Sequence, residues 1–297
     1  MTTSERRHLR NGLLFALPYL IGVAAFVVYP LVMSVYYSFC RYNIISSPVW
    51  IGLDNYRELF FNDPVFLKAV YNTLYYTAFA VPLGLAFSIG LAMLLNLRTP
   101  GVAVFRTVFF LPSIVPMVAS AMLWLWVLNP ESGLVNGLLR QVAGIDGPGW
   151  LADEHWSKPS LVLMSLWGLG TAMVIFLAGL SDVPQALYEV ARIDGAGPWR
   201  TFRHVTLPML TPTILFNLVM GLIGAFQYFT QVYVMTGGRG GPVDSTMFYA
   251  LYLYRNSFYY LRMGYACAMA WMLFVLIFVC TAAVFASSRR WVYYHGE

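Results

Sequence analysis

Charge is scarce in this sequence: Asp, Glu, Lys and Arg supply 10% of its 297 residues, against 59% hydrophobic residues. With a mean hydropathy of +0.66, that balance excludes an ordinary soluble domain and puts the chain in a bilayer. Lysine is scarcer still. Only Lys68 and Lys158 occur, preceded by Leu67 and Ser157, so neither completes a Gly-Lys-Ser/Thr phosphate loop, and ATP binding by that route is excluded. The three cysteines, Cys40, Cys267 and Cys280, are odd in number and lie in or near apolar segments, which argues against a disulfide framework. His8, His155, His204 and His295 are scattered between loops and tails and form no metal set. Asp182, Glu189 and Asp194 share one polar loop, where a hydrolytic pair would meet no substrate. No catalytic constellation emerges, and the net charge of +5 is too small and dispersed to suggest nucleic acid.

What the sequence does have is long apolar runs. Six gaps between charges are long enough to cross a membrane: Arg10 to Arg41, Lys68 to Arg98, Arg106 to Glu131, Lys158 to Asp182, Arg203 to Arg239, and Arg262 to Arg289. They predict six helices. Ser245 to Tyr254 is too short and too rich in Tyr, and predicts an interfacial helix. The first run exceeds a signal-peptide core and holds Tyr29-Pro30, so it predicts a retained span kinked at Pro30. An even number of spans puts both ends on one side. Arg6, Arg7, Arg10, Arg98, Arg106, Arg192, Arg200, Arg203, Arg289 and Arg290 fall on that side, against Glu5, Asp182, Glu189, Asp194 and Glu297. The opposite side carries Arg41, Arg57, Lys68, Arg140, Lys158, Arg239, Arg255 and Arg262, balanced by acids in longer loops. The positive-inside bias predicts cytoplasmic termini.

Between the fourth and fifth runs lies a polar island, Pro184 to Pro208, PQALYEVARIDGAGPWRTFRHVTLP. Ser181 or Asp182 can cap a helix there, with Pro184 in its first turn and Leu187, Val190, Ala191 and Asp194 at helical spacing. Gly195 should stop it, since Gly adopts left-handed dihedrals at little cost. Gly197 and Pro198 can start a second short helix carrying Trp199, Arg200, Phe202 and Arg203, which Pro208 should end. So small a helix pair needs something to dock on. Glu189, Ala191, Asp194, Gly195, Ala196, Leu207 and Pro208 are spaced as in the cytoplasmic EAA loop of ABC importer permeases, which this island resembles. Val190 and Val205 replace the usual Ala and Ile, and both keep the apolar face.

The spans carry further marks. Gly84, Gly90 and Ala92 in the second suit close helix approach. FFLPSIVP in the third sets Pro112 and Pro116 one turn apart, and their freed carbonyls call for protein or a wet cavity, as a kink or as a gate. The fourth opens with Trp167-Gly168 and Gly170-Thr171, a wall that suits a sugar ring or simple packing. In the fifth, Thr211 to Met235, Asn217, Gly221, Gly224, Tyr228 and Gln231 recur every three or four residues, flanked by Ala225 and Gln227. That stripe reads either as a substrate face or as a small-residue packing seam. Asn129 to Pro159 is a candidate surface for an external partner. VMTGGRGGP, Val234 to Pro242, lacks the Gly-Lys-Ser/Thr of a phosphate loop.

From about Leu13 to Tyr294 the chain resembles permeases of the maltose-type, binding-protein-dependent ABC sugar importers. The resemblance rests on the island, on LLFALPYLIGVAAFVVYPLVMSVYYSF, IGLDNYRELF, NPESGLVNGLL and the GGP turn, and on LYLYRNSFYYLRMGYACAMAW. It implies an all-α membrane protein of six transmembrane helices with the type I importer fold. The domains would be a cytoplasmic tail 1-12, a permease domain 13-286 with its coupling loop at 184-208, and a cytoplasmic tail 287-297. ATPase coupling would fall on Glu189, Ala191, Asp194, Gly195, Ala196, Gly197, Pro198, Trp199, Arg200, Leu207 and Pro208. The substrate path would fall on Trp167, Gly168, Thr171, Asn217, Gly221, Gly224, Ala225, Gln227, Tyr228 and Gln231. The implied partners are a second homologous permease, two cytoplasmic ATPases that use ATP and Mg, and an external solute-binding protein. The chain itself would bind no cofactor. A di- or oligosaccharide is the implied cargo. Alternatives are a glycerol phosphodiester or other small solute, or an ATP-independent channel or ion-coupled carrier, which the absence of intramembrane acids disfavours.

Overall fold

The computed structural model describes the backbone of residues 3–97 and 99–293. Arg98, Tyr294, His295 and Glu297, and the side chains of Glu5, Arg6 and Arg7, lie outside the described residues, so the charge count and the carboxyl tail are described only in part. In chain order come α1 (Thr3–Val23), α2 (Tyr29–Ser38), a short hairpin of β1 (Cys40–Arg41) and β2 (Val49–Trp50), α3 (Asp54–Phe61) and α4 (Pro64–Leu95). Next are α5 (Val102–Phe110), α6 (Met117–Val127), α7 (Leu134–Ala143), α8 (Glu154–Ser165) and α9 (Gly170–Ser181). Then follow α10 (Gln185–Ile193), α11 (Pro198–Thr201), α12 (Leu207–Met209), α13 (Thr211–Phe226), α14 (Thr230–Thr236), α15 (Tyr249–Tyr254) and α16 (Met263–Ser288).

Among the described residues four helices are long and apolar enough to cross a membrane: Arg10–Ser38, Pro64–Leu95, Thr211–Thr236 and Met263–Ser288. Two further stretches pass only as bent pairs, so the number is six if each pair is one span. The third run turns by 99° between Ile114 and Met117, where Val115 and Pro116 are extended and two prolines withhold amide donors. The fourth turns by 50° between Gly168 and Gly170. The fifth departs from the single helix expected over Thr211 to Met235: α13 stops at Phe226, and Phe229, at φ −134° and ψ −60°, separates it from α14. In the first run the ladder is widened at Ala24–Val28, where the Tyr29 amide donates five residues back, just before donorless Pro30.

The chain forms two compact units, one of residues up to Asp63 with Leu253–Met272, the other of Pro64–Tyr252 with the chain from Leu273 onward. In the first, Asn55 Nδ2 donates to the carbonyls of Ser38 (2.8 Å) and Cys40 (3.0 Å), and Tyr56 donates to Ser38 Oγ at 2.8 Å. Arg262 pairs with Glu58 at 2.6 Å, and the Tyr265 hydroxyl donates to Asp63. The segment Ile51 to Phe60 is thus tied down by specific bonds, more than an amphipathic linker needs.

In the second unit α4 packs against α9 and α13. Ala92, Leu95, Met173, Phe176, Leu180 and Leu210 form the core there. Arg106 reaches back to cap α4, donating from Nε and Nη2 to the Leu95 carbonyl at 3.1 and 2.8 Å, a cation at a helix C-terminus. Close approach is made by Gly170 rather than by Gly84 or Gly90. A Cβ on Gly170 would lie 2.8 Å from both Phe110 Cα and Ser113 Oγ, whereas Gly90 has nothing within 4 Å.

Two expectations are corrected here. Ser245 to Tyr254 is no interfacial helix, since its helix begins only at Tyr249 and Ser245 through Tyr249 are almost wholly buried. Polar bonds draw it in: Asn72 Nδ2 donates to the carbonyls of Asp244 (2.8 Å) and Met247 (3.0 Å), Ser157 Oγ bonds Ser245 Oγ at 2.8 Å, and the Tyr249 amide donates to Thr73 Oγ1 at 2.9 Å. Ser181 does not cap α10, because its hydroxyl bonds back to the Leu177 carbonyl at 2.9 Å within α9.

The loop Asn129 to Pro159 folds around one side chain. Asn136 is fully buried; its Nδ2 donates to the Pro130 carbonyl at 2.9 Å, and its Oδ1 accepts from Trp150 Nε1 at 2.7 Å. At the start of α8 the Asp153 carboxylate accepts the His155 amide at 2.7 Å, which holds its pKa below the ordinary carboxylate value.

Two outcomes are expected. Gly170→Ala forces the backbone of α5 aside and costs about 1–3 kcal/mol, read as a lower melting temperature of the detergent-solubilised protein; Gly168→Ala, with nothing within 4 Å of its Cβ, leaves it unchanged. Asn136→Ala strands the Trp150 N–H and the Pro130 carbonyl, costing about 1–3 kcal/mol locally, read as faster proteolysis within 129–159.

Candidate functional site

Three helix interruptions meet at one cavity of ≈ 430 Å³. Pro112, Ser113 and Val115 come from the first break, Trp167 and Gly168 from the second, and Gln227, Tyr228 and Phe229 from the third. Lipid offers no hydrogen bonds, so irregular backbone at membrane depth is tolerated only against protein or a wet cavity. Tyr76 from α4 completes the wall: its ring stacks on Tyr228 with centroids 4.3 Å apart and 21° between planes. Phe248 meets both rings edge-on at 5.5 Å, and Trp124 meets Trp167 edge-on at 6.1 Å.

A second cavity of ≈ 180 Å³ adjoins the first and shares Tyr76, Ser165 and Gly224 with it. Of the residues expected along a substrate path, Trp167, Gly168, Thr171, Gly224, Gln227, Tyr228 and Gln231 line the larger cavity. Asn217, Gly221, Gly224 and Ala225 line the smaller. Because α13 ends at Phe226, Tyr228 and Gln231 do not share a regular helix face with Asn217, as the spacing predicted. Asn217 is nearly buried, and its Nδ2 donates to the Thr213 carbonyl at 2.9 Å. Gly224 has nothing within 4 Å of its Cβ position, while Gly221 has Val81 in ordinary contact at 3.4 Å.

Sequence reading of α4 stopped at its glycines and missed Tyr76 and Ser88. A usable signal is present: Asn72, Tyr76, Ala80, Gly84 and Ser88 recur every four residues, a polar and small stripe on one helix face. Ser113, Ser120, Ser165 and Thr230 also line the larger cavity. No Asp, Glu, Lys or Arg lines either one. Aromatic faces, hydroxyls and amides in a neutral setting suit a hydroxylated, uncharged molecule, whose apolar ring faces stack while its hydroxyls bond. Among the described residues no three His, Cys, Asp or Glu side chains gather as metal ligands.

The polar island forms the helix pair expected of it, with different ends. Pro184 precedes α10 and is not in its first turn. Gly195, at φ +70°, closes α10: its amide donates to the Arg192 carbonyl at 3.1 Å, and the Ala196 amide to the Ala191 carbonyl at 2.8 Å. Gly197 stands at the N-cap of α11 and Pro198 in its first turn. Pro208 does not end that helix. A π turn over Phe202–Thr206, in which the Leu207 amide donates to the Phe202 carbonyl, takes up an extra residue and lets the donorless proline sit inside a continuing helix. No residue of α10 is buried. Ile193 is 85% and Trp199 71% exposed, with Val190 also bare and Glu189 and Arg200 exposed beside them. The Tyr188 and Thr206 hydroxyls, 3.2 Å apart, join α10 to the π turn that continues α11.

Residues 67–293 match the family described as binding-protein-dependent transport system inner membrane component. The chain is 41% identical over 296 residues to the probable ABC transporter permease protein YesP of Bacillus subtilis (strain 168), covering 99% of this chain and 95% of that one. It is 33% identical to the lactose transport system permease protein LacF of Rhizobium radiobacter, covering 98% and 99%. Among solved structures it resembles a chain of a bacterial alginate ABC transporter in complex with an alginate pentasaccharide-bound periplasmic protein, with a TM-score of 0.82, 26% identity and 96% of each chain covered. With its apolar helices, interrupted spans and neutral cavity, this chain belongs to the binding-protein-dependent transport inner-membrane family, as an ABC transporter permease of the sugar-importer type.

Proposed function

We propose that the chain is the membrane-spanning half of a carbohydrate path, a di- or oligosaccharide passing through the larger cavity. The observation that carries this is the convergence of three helix breaks on a neutral, aromatic-walled space of ≈ 430 Å³. A relative named for lactose and a solved transporter named for alginate support the substrate class. A phosphodiester is disfavoured, because neither cavity offers a cation from this chain.

In this reading each bent pair is one span, giving six, with both termini and 184–208 in the cytoplasm. The permease domain is 13–286 between two short tails. A second permease completes the path, a solute-binding protein delivers cargo outside, and two ATPases supply ATP and Mg chemistry that this chain lacks. The exposed face of Val190, Ile193 and Trp199 is the docking surface for an ATPase, since apolar side chains this bare at an aqueous end of the bundle call for a partner. Glu189 and Arg200 flank it as polar contacts. Closure of the ATPases then biases the permease pair between two states, each favoured by one partner.

The chain expressed with its operon neighbours is expected to purify with a second permease and an ATPase, and to take up a di- or oligosaccharide from a panel of sugars in proteoliposomes. Gly195→Pro, which cannot adopt φ +70°, and Glu189→Ala are expected to lower solute-stimulated ATP hydrolysis, the first by more than about tenfold. Purification of the chain alone, moving solute without ATP, contradicts the reading.

A further inference from the structure

The helical stretch that begins at Pro198 and the end of α16 meet at one side chain, Thr211, the first residue of α13. In a continuing helix the Pro208 carbonyl would accept from the amide four residues on, but that residue is Pro212, which has no amide to give. The Thr211 hydroxyl supplies the bond instead, donating to the Pro208 carbonyl at 2.6 Å. Thr211 is buried, so a carbonyl left stranded beside it would be costly. With its proton committed to Pro208, the hydroxyl turns its lone pairs elsewhere. They accept the Tyr293 amide at 2.9 Å, from 82 positions further along the chain.

Both sides of this contact are held in place. On the α16 side the Trp291 and Val292 amides donate to the Ser288 carbonyl at 3.1 and 2.8 Å, and Trp291 Nε1 donates to Ser287 Oγ at 3.3 Å, so the chain turns at once after the helix. On the α13 side Leu210 is fully buried with Met173, Phe176 and Leu180 of α9. A Cβ on Gly179 would lie 2.7 Å from Thr213 Oγ1 and 3.1 Å from Leu210 Cδ2, so α9 leaves this junction no slack. Toward the polar island, the Leu210 amide donates to the Thr206 carbonyl at 3.0 Å, and the Thr206 hydroxyl meets Tyr188 of α10. A connected run of bonds thus leads from α10 through Thr206 and Thr211 to Tyr293.

We propose that Thr211 is a positioning residue of the transport cycle, whose hydroxyl ties the end of α16 to the coupling loop so that the two move as one body. This deepens the import reading and rests on it. When an ATPase shifts α10 and α11, α13 follows because the helical chain runs on into it. The end of α16 has no such continuity with the loop, and it is joined there by the Tyr293 amide on Thr211. One oxygen serves both bonds, so the end of α16 is placed directly against the Pro208 turn.

The test separates the two bonds. Tyr293→Pro removes the amide that reaches Thr211 and leaves the bond from Thr211 to Pro208, whereas Tyr293→Ala removes only the side chain and keeps both. In the assembled transporter in proteoliposomes, Tyr293→Pro and Thr211→Val are expected to lower the sugar moved per ATP hydrolysed by at least about twofold, the scale of one hydrogen bond. Tyr293→Ala and Thr211→Ser keep the wild-type ratio. A merely structural role would lower the yield of assembled transporter and leave that ratio alone. Spin labels at Gln185→Cys and Arg290→Cys, with Cys40, Cys267 and Cys280 replaced by Ala, should give one separation whether the transporter is nucleotide-free or holds a non-hydrolysable ATP analogue. With Tyr293→Pro added, the separation should change between those two conditions. A chain ending at Val292 replaces Tyr293→Pro if that variant does not assemble. Equal ratios for Tyr293→Pro and Tyr293→Ala, a separation that shifts with nucleotide while Tyr293 is present, or one that stays fixed in Tyr293→Pro, each overturns the tie at Thr211 while leaving import intact. Uptake of no sugar by the wild type overturns the import reading, and this inference with it.

Discussion

Hydrocarbon cannot hydrogen-bond a peptide group, and most of this structure follows from that constraint. Wherever the backbone leaves helical geometry at membrane depth, something other than lipid must face it. The chain does so at Val115–Pro116, at Leu166–Leu169 and at Gln227–Phe229, and it brings all three to one cavity. Each break aims side chains that a straight helix would bury in a seam or turn to lipid. Trp167, Tyr228 and Gln227 reach the cavity because their helices stop beside them. At the polar end the π turn at Phe202–Thr206 pairs the Leu207 amide with the Phe202 carbonyl, and the left-handed Gly195 closes α10, while Ile193 and Trp199 stay exposed.

The site is neutral as a consequence. A charge at this depth is costly without a partner, and discrimination must come from ring faces, hydroxyls and amides. That division fits a carbohydrate, whose faces and edges differ in the same way. It also explains why the cavity walls mix Gly with Trp and Tyr: small residues give room for a ring, and large ones give it a surface. The exposed loop works on a different principle. Its apolar residues Val190, Ile193 and Trp199 are bare in the isolated chain, and the helix that starts at Pro198 runs on toward α13, which lines the smaller cavity.

Much of this is legible in the sequence, and the limits have physical causes. Charge spacing locates the apolar runs, because ionic cost in lipid is paid residue by residue. Pro112 and Pro116 mark the break in the third run, and Gly195 marks the end of α10, because proline and glycine act locally. Pro208 misleads for the complementary reason: whether a proline ends a helix depends on whether the ladder can widen one turn earlier, which no single residue announces. Gly170 and Gly90 look alike in sequence, yet one is pressed against Phe110 and the other faces open space. The burial of Ser245 to Tyr252 comes from Asn72, Thr73 and Ser157, more than eighty positions away. Tyr76 and Ser88 are partly legible, as a four-residue repeat among apolar neighbours, but their pairing with α13 is a tertiary fact.

If the broken helices enclose the carbohydrate path, a sugar held by the transporter lies among them. A cryo-electron microscopy map of the assembled transporter, saturated with a sugar that it imports, is then expected to show density for a sugar ring within contact distance of Trp167, Tyr228 and Gln231. A well-resolved map in which the sugar lies elsewhere, or in which a partner side chain fills that space throughout, contradicts it.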